Sequence, residues 1–125
     1  MQSYRDLIVW QKAMNLVIST YQVTQNFPES EIYGLASQMQ RAAVSIPSNI
    51  AEGHGLKQTQ ALLRHLAIAT GSLCELETQL EIAERLGYLQ SEQKNLLSQA
   101  NELGRMLFGL RQSLQAKKDS LNPES

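Results

Sequence analysis

A chain of 125 residues, 42% of them hydrophobic, can bury a single core, and its eleven Lys/Arg against twelve Asp/Glu leave a net charge of −1. That balance supplies no global attraction to nucleic acid or to an anionic membrane surface. Aromatic residues are scarce, β-branched residues cluster mainly in the first third, and Leu, Ala, Gln and Glu dominate, which favours an all-α protein.

The first helix is expected from about Tyr4 to Gln25. Leu7, Trp10, Met14, Val17 and Tyr21 recur at spacings of three and four and form one face, read as the core face. Val9, Leu16 and Val23 recur every seven residues and point elsewhere, which suggests burial of a second stripe against another subunit. Phe27-Pro28 ends the helix, because proline holds the residue before it in extended geometry.

The second helix begins at Gly34 or Leu35 and ends near Gly53. Its apolar face is Leu35, Met39, Ala42, Ala43, Ile46 and Ile50, with Pro47 inside the run. Proline removes a backbone donor and clashes with the carbonyl of Ala43, so the helix either kinks or breaks there. The apolar spacing stays in phase through Ile50, which favours a kinked, continuous helix. Arg41, Ser45, Ser48 and Glu52, spaced four, three and four, form a polar stripe flanked by Asn49. Such a stripe faces either solvent or a neighbour. Its small Ser and Asn side chains permit close approach of another backbone, and Arg41 and Glu52, about 16 Å apart on an ideal helix, are free to pair with copies in another chain. Arg41, Ser45, Ser48, Asn49 and Glu52, with Val9, Leu16 and Val23, are therefore the candidate subunit-interface residues.

The third helix starts at Thr59, a plausible N-cap, and carries Leu62, Leu66, Ala69, Leu73, Leu76, Leu80 and Ala83 in alternating steps of four and three up to the stop at Gly87. Ser91 is placed to cap the fourth, whose seam is Leu96, Ala100, Leu103, Leu107, Leu110 and Leu114. Short connections favour antiparallel neighbours, hence an up-down-up-down four-helix bundle over residues 1–116 and a flexible tail over 117–125.

Sites for chemistry are not evident. Di-iron bundles need Glu-x-x-His pairs, and the two histidines, His54 and His65, make none, so no metal or cofactor is expected. No base stands at helical spacing from Ser45, Ser48 or Ser72, the glycines build no phosphate-cradling motif, and an enzyme is not expected. The single cysteine, Cys74, lies in an apolar helical pattern and reads as an inert buried thiol. The start of the chain lacks a signal-peptide pattern, and no apolar run approaches the roughly 18 residues of a membrane span. A soluble, cytoplasmic protein is expected.

The segments LIVWQKAMNLV, FPESEIYGL, QMQRAAVSIPSNIAEG and IATGSLCELETQLEIAERLGYL together resemble the bacterial proteins encoded by intervening sequences in 23S rRNA genes, also called S23 ribosomal proteins. The resemblance spans roughly Tyr4 to Leu114 and implies an antiparallel four-helix bundle assembled as a barrel-like homopentamer. A related protein, the accessory variability determinant of diversity-generating retroelements, binds a reverse transcriptase and is thought to engage its RNA template through a basic surface. This chain departs from that pattern with a pI of about 6.1. Lys94, Arg105, Arg111, Lys117 and Lys118 are the residues left for RNA contact. An oligomeric adapter for a protein or nucleoprotein partner is the function expected first; RNA binding alongside a reverse transcriptase or rRNA is the alternative.

Overall fold

The computed structural model describes residues 3–93 and 95–121. They form four helices and no strand: α1 Ile8–Thr24, α2 Leu35–Gly55, α3 Thr59–Arg85 and α4 Asn95–Leu121. Cross-helix contacts fix the directions. On the α2/α3 side Ser45 meets Ser72 and Asn49 meets His65. On the α3/α4 side Arg111 reaches Thr70 and Lys118 reaches Gln60. Lys12 of α1 pairs with Glu102 of α4. On both sides of α3 residue numbers fall along one helix as they rise along the other, which is the antiparallel arrangement that short loops favour.

The first helix is shorter than expected. A 3₁₀ turn, Tyr4–Asp6, is capped by Ser3, whose Oγ accepts from the Arg5 amide at 3.1 Å, and extended Leu7 separates it from α1. Its inward face is centred elsewhere than expected: of the expected face Leu7 is buried and Trp10 and Val17 are half-buried at the edge of the core. Val9, Leu16 and Val23 are 5%, 1% and 4% exposed in the single chain, inside the core with Ala13 and Thr20, whereas Met14 and Tyr21 are 37% and 42% exposed. Val9, Leu16 and Val23 are therefore core residues and are not available as a subunit contact. Both stripes have the same period. Ala13 and Thr20 complete a four-three alternation from Val9 to Val23, and the Thr20 hydroxyl donates to the Leu16 carbonyl at 2.7 Å, which allows a polar residue there to be fully buried.

Helix α2 runs without interruption through buried Pro47 and continues to Gly55. Its start is supported by Glu31, whose Oε1 accepts from the Leu35 amide at 3.2 Å, a carboxylate placed at the positive end of the helix dipole. Met39, Ala42, Ala43, Ile46 and Ile50 are buried as expected.

Helix α3 begins at Thr59, but the cap position is Gln58 and no side chain caps the end. Its C-terminus is closed by Gly87 at φ +79°, with Gly87 N–H bonded to the Glu84 carbonyl and Tyr88 N–H to that of Ala83. That pair of bonds is a Schellman motif, and it needs a residue that enters the left-handed region without strain. Cys74 is exposed, contrary to expectation. One residue on from buried Leu73 turns it about 100° away from the seam.

Ser91 does not cap α4. Ser91–Gln93 form a separate 3₁₀ turn, in which Gln93 Oε1 accepts from the Gln90 amide, and α4 begins at Asn95. At its other end α4 passes Lys117 and reaches Leu121, so the helix takes in the first five residues assigned to a flexible tail. Gln115 bonds to Asp119 one turn on, and Lys117 and Lys118 suit the negative end of the dipole. Residues 122–125 of that tail lie outside the described residues. Leu66, Ala69, Leu73, Leu76 and Leu80 of α3 meet Leu96, Ala100, Leu103 and Leu107 of α4 in one core, with Leu110 and Leu114 at its edge.

Candidate functional site

The polar stripe of α2 divides into two parts. Arg41 and Ser48 are exposed, and the Ser48 hydroxyl donates back to the Val44 carbonyl. Ser45 and Asn49 turn toward α3 and join an intramolecular network. Ser45 Oγ lies 2.8 Å from Ser72 Oγ. The Asn49 amide donates to the Ser45 carbonyl at 2.8 Å and to Ser45 Oγ at 3.1 Å, which points Asn49 Oδ1 at His65 Nδ1, 3.0 Å away. Glu52 Oε2 lies 3.4 Å from the same nitrogen. Both oxygens are acceptors, so Nδ1 carries the proton and donates.

This network lacks a nucleophile–base pair, since His65 is bonded to Asn49 and not to a serine oxygen. Its role is to lock α2 on α3 where the helices approach closely. A Cβ on Gly53 would stand 2.6 Å from His65 Cβ and 3.2 Å from Leu62 Cα. Of the five stripe residues, then, Ser45 and Asn49 serve packing within the chain, Glu52 supports His65 from an exposed position, and Arg41 and Ser48 face outward. A signal for this was present: His65, Ser72 and Gln79 stand seven apart on α3 and share one direction. Gln79 is buried, with its Nε2 3.4 Å from Glu75 and its Oε1 without a partner among the described residues.

Beside Ser48 lies a surface that the sequence pattern assigned to the core. Trp10, Met14 and Val17 of α1 face Val44, Pro47 and Ala51 of α2 across an open groove of about 360 Å³, with Tyr4 at one end. Tyr4 and Trp10 stack edge to face with their ring centroids 5.3 Å apart, and Arg5 lies over the Tyr4 ring. Val44 is 40% exposed, and Tyr21 continues the α1 face. Arg41, Val44 and Ser48 follow one another at three and four residues, so the outward part of the polar stripe borders this apolar face.

The basic residues of α4 do not gather. Arg111 and Lys118 point toward α3, where they meet Thr70 and Gln60. Arg105 and Lys117 are about 120° apart on an ideal helix, and each is at least about 100° from the Arg111–Lys118 direction. Lys94, the fifth residue expected at an RNA contact, lies outside the described residues. Among the described residues no cluster of three or more His, Cys, Asp or Glu is placed to hold a metal ion, and no helix is long and apolar enough to cross a membrane.

Two ionisable groups are shifted. Donation to Glu31 Oε2 at 3.0 Å, with burial and the carboxylate's charge, holds the Tyr88 hydroxyl protonated above its ordinary range. Glu77 is raised by burial and then by the charge of Glu81. An acid whose folded pKa is raised lowers stability where the carboxylate is charged, and the loss vanishes below the ordinary glutamate range. Glu77→Gln is therefore expected to melt above the parent protein at pH 7, with the two melting temperatures converging as the pH falls through that range. A constant gap at all pH values would contradict this.

The family described as 23S rRNA-intervening sequence protein matches residues 5–109. The chain belongs to that family. The match takes in α1, α2 and α3, the Arg41–Gly53 block and most of α4. A crystal structure of a protein of unknown function from the S23 ribosomal protein family of Bacteroides thetaiotaomicron superposes with a TM-score of 0.74 at 23% identity, covering 83% of this chain and 98% of that one. At that identity the likeness concerns the fold. A search of curated proteins gives no match.

Proposed function

We propose that this member of the 23S rRNA-intervening sequence family is a non-enzymatic, homo-oligomeric adapter that presents several copies of a binding surface to a protein partner. The observation that carries this reading is the α1/α2 face. Trp10, Met14, Val17, Tyr21 and Val44 form a contiguous apolar surface in a single chain whose core is already filled. Apolar patches of this kind, bordered by polar residues, mark protein contacts more often than isolated exposed hydrophobes do. Arg41 and Ser48 supply that border. A pentamer, as the resemblance implies, has an odd number of subunits and so is built from head-to-tail contacts, in which this face meets a different face of the next copy.

Light scattering tests the reading directly. Val44→Glu and Arg41→Glu both alter exposed α2 positions that make no side-chain hydrogen bond among the described residues. Val44→Glu is expected to reduce the assembly to smaller species while helical content is kept, with a weaker effect from Arg41→Glu. An unchanged mass for both variants, or a monomeric parent protein, would overturn the proposal. RNA binding has less support, because the exposed cations on α4 diverge and phosphate affinity depends on clustered charge.

A further inference from the structure

The seam between α3 and α4 carries opposite charges at its two ends. From Gly53 to Cys74 and from Leu103 to Lys118 the sequence has no Asp or Glu, and these stretches lie side by side in the bundle. Arg111 and Lys118 lean across the seam onto Thr70 and Gln60, so both cations are held by neutral groups. Asp119, next along α4, is engaged by Gln115. At the other end stand Glu77 and Glu81, seven and eleven residues beyond Thr70 and so on the same side of α3. Burial and the charge of Glu81 hold Glu77 above the ordinary glutamate range. Neither glutamate makes an ion pair among the described residues, which leave out Lys94.

Between these ends the face is apolar and shallow. Phe108 is 59% exposed and shares an open depression of about 270 Å³ with Leu63 and Arg111. Gly104 touches Leu73, and Arg111 reaches Thr70, so Phe108 stands level with residues 70–73 of α3. The order of cations, ring and carboxylates is self-complementary under a two-fold rotation. An axis lying in the face and crossing the seam level with residues 70–74 sets α3 and α4 antiparallel against the same helices of a second copy. Arg111 then comes opposite Glu77, and Lys118 opposite Glu81, each within about 5 Å along the helices, which long side chains can span. The two Phe108 rings meet near the axis. From Gln60 to Glu81 the face is about 30 Å long and two helices, about 20 Å, wide, or roughly 600 Å² a side. The total of about 1,200 Å² is at the lower edge of stable interfaces. A partner of one charge sign, such as nucleic acid or an acidic protein segment, would be repelled at one end of this face. A second copy satisfies both ends.

We propose that two copies of this chain pair through their α3/α4 faces about a two-fold axis at Phe108, the Arg111 and Lys118 of each meeting the Glu77 and Glu81 of the other. This contact lies across the bundle from the α1/α2 face, and the adapter reading does not depend on it. Exposed Cys74, close to the level of the axis on α3, reports on it directly. The test is sedimentation and cross-linking with a short bis-maleimide, on the parent and on Val44→Glu, which removes the α1/α2 contact. Both are expected to give a dimer linked through Cys74. In the Val44→Glu background, Phe108→Ala should weaken dimerisation about tenfold and Lys118→Glu about threefold or more, with helical content kept. The exchange Lys118→Glu/Glu81→Lys should recover the parent affinity. Absence of the linked dimer, dimerisation untouched by Phe108→Ala, or a folded exchange variant no tighter than Lys118→Glu would overturn the pairing. Should the exchange variant not fold, Phe108→Ala, altered at an exposed position, still decides. A parent mass unchanged by Val44→Glu counts against the α1/α2 face alone, so the two proposals fail separately.

Discussion

Leu16→Ala is expected to cost about 2–5 kcal/mol of unfolding free energy, while Met14→Ala, two residues away, costs no more than about 1 kcal/mol in the isolated chain. Leu16 is 1% exposed and surrounded by the four-helix core, whereas Met14 is 37% exposed on the rim of the α1/α2 groove. Truncating the first leaves a cavity that the bundle closes only partly; truncating the second removes a side chain from water-facing surface. Urea unfolding of both variants at several protein concentrations measures the difference. The Leu16→Ala loss should be the same at every concentration. Any Met14→Ala loss should grow with concentration if its face is covered in an assembly, because association stabilises the folded state by mass action. The opposite ranking would mean that the inward and outward stripes of α1 have been exchanged.

The second large effect is at Gly53. Gly53→Ala is expected to destabilise the protein by about 2 kcal/mol, because the added methyl overpacks a helix crossing. The atoms it would meet, His65 Cβ at 2.6 Å and Leu62 Cα at 3.2 Å, belong to or adjoin the α3 backbone and cannot swing aside. Relief requires α2 and α3 to separate, which also stretches Asn49–His65 and Ser45–Ser72. Gly71→Ala is the contrasting case: its Cβ would have nothing within 4 Å, and replacing a mid-helix glycine there should gain about 0.5–1 kcal/mol. Both follow from denaturant midpoints. A Gly53→Ala protein as stable as the parent would show that α2 and α3 are not clamped at this point.

The Arg41–Gly53 block was legible as special, but only part of its meaning could be read in one dimension. Small polar residues at Ser45, Ser48 and Asn49 indicated close approach of another backbone. For Ser45 and Asn49 that backbone is α3 of the same chain, found through Ser72 and His65. Spacing along α2 cannot distinguish a partner helix twenty residues downstream from one in another molecule. The matching seven-residue recurrence of His65, Ser72 and Gln79 carried the missing information, because two polar lines with compatible periods can face each other across an antiparallel pair. Arg41 and Ser48 kept the outward position expected of the stripe.

By itself the sequence determined the number, order and approximate limits of the helices, the short connections between them, and the inward seams of α2, α3 and α4. On those helices one stripe held nearly all the large apolar residues, so hydrophobic burial had a single solution. Only the tertiary structure decided which stripe of α1 points inward, that Cys74 is exposed, and which half of the α2 polar line is internal. Helical periodicity fixes the angles between residues on one helix but not the rotation of that helix about its own axis. In α1 two apolar stripes of equal period competed, and the slimmer one, with Ala13 and Thr20 between Val9, Leu16 and Val23, allowed the helix to pack closely. The broader aromatic stripe was left at the edge of the core, with Trp10 and Val17 half-buried and Met14 and Tyr21 exposed.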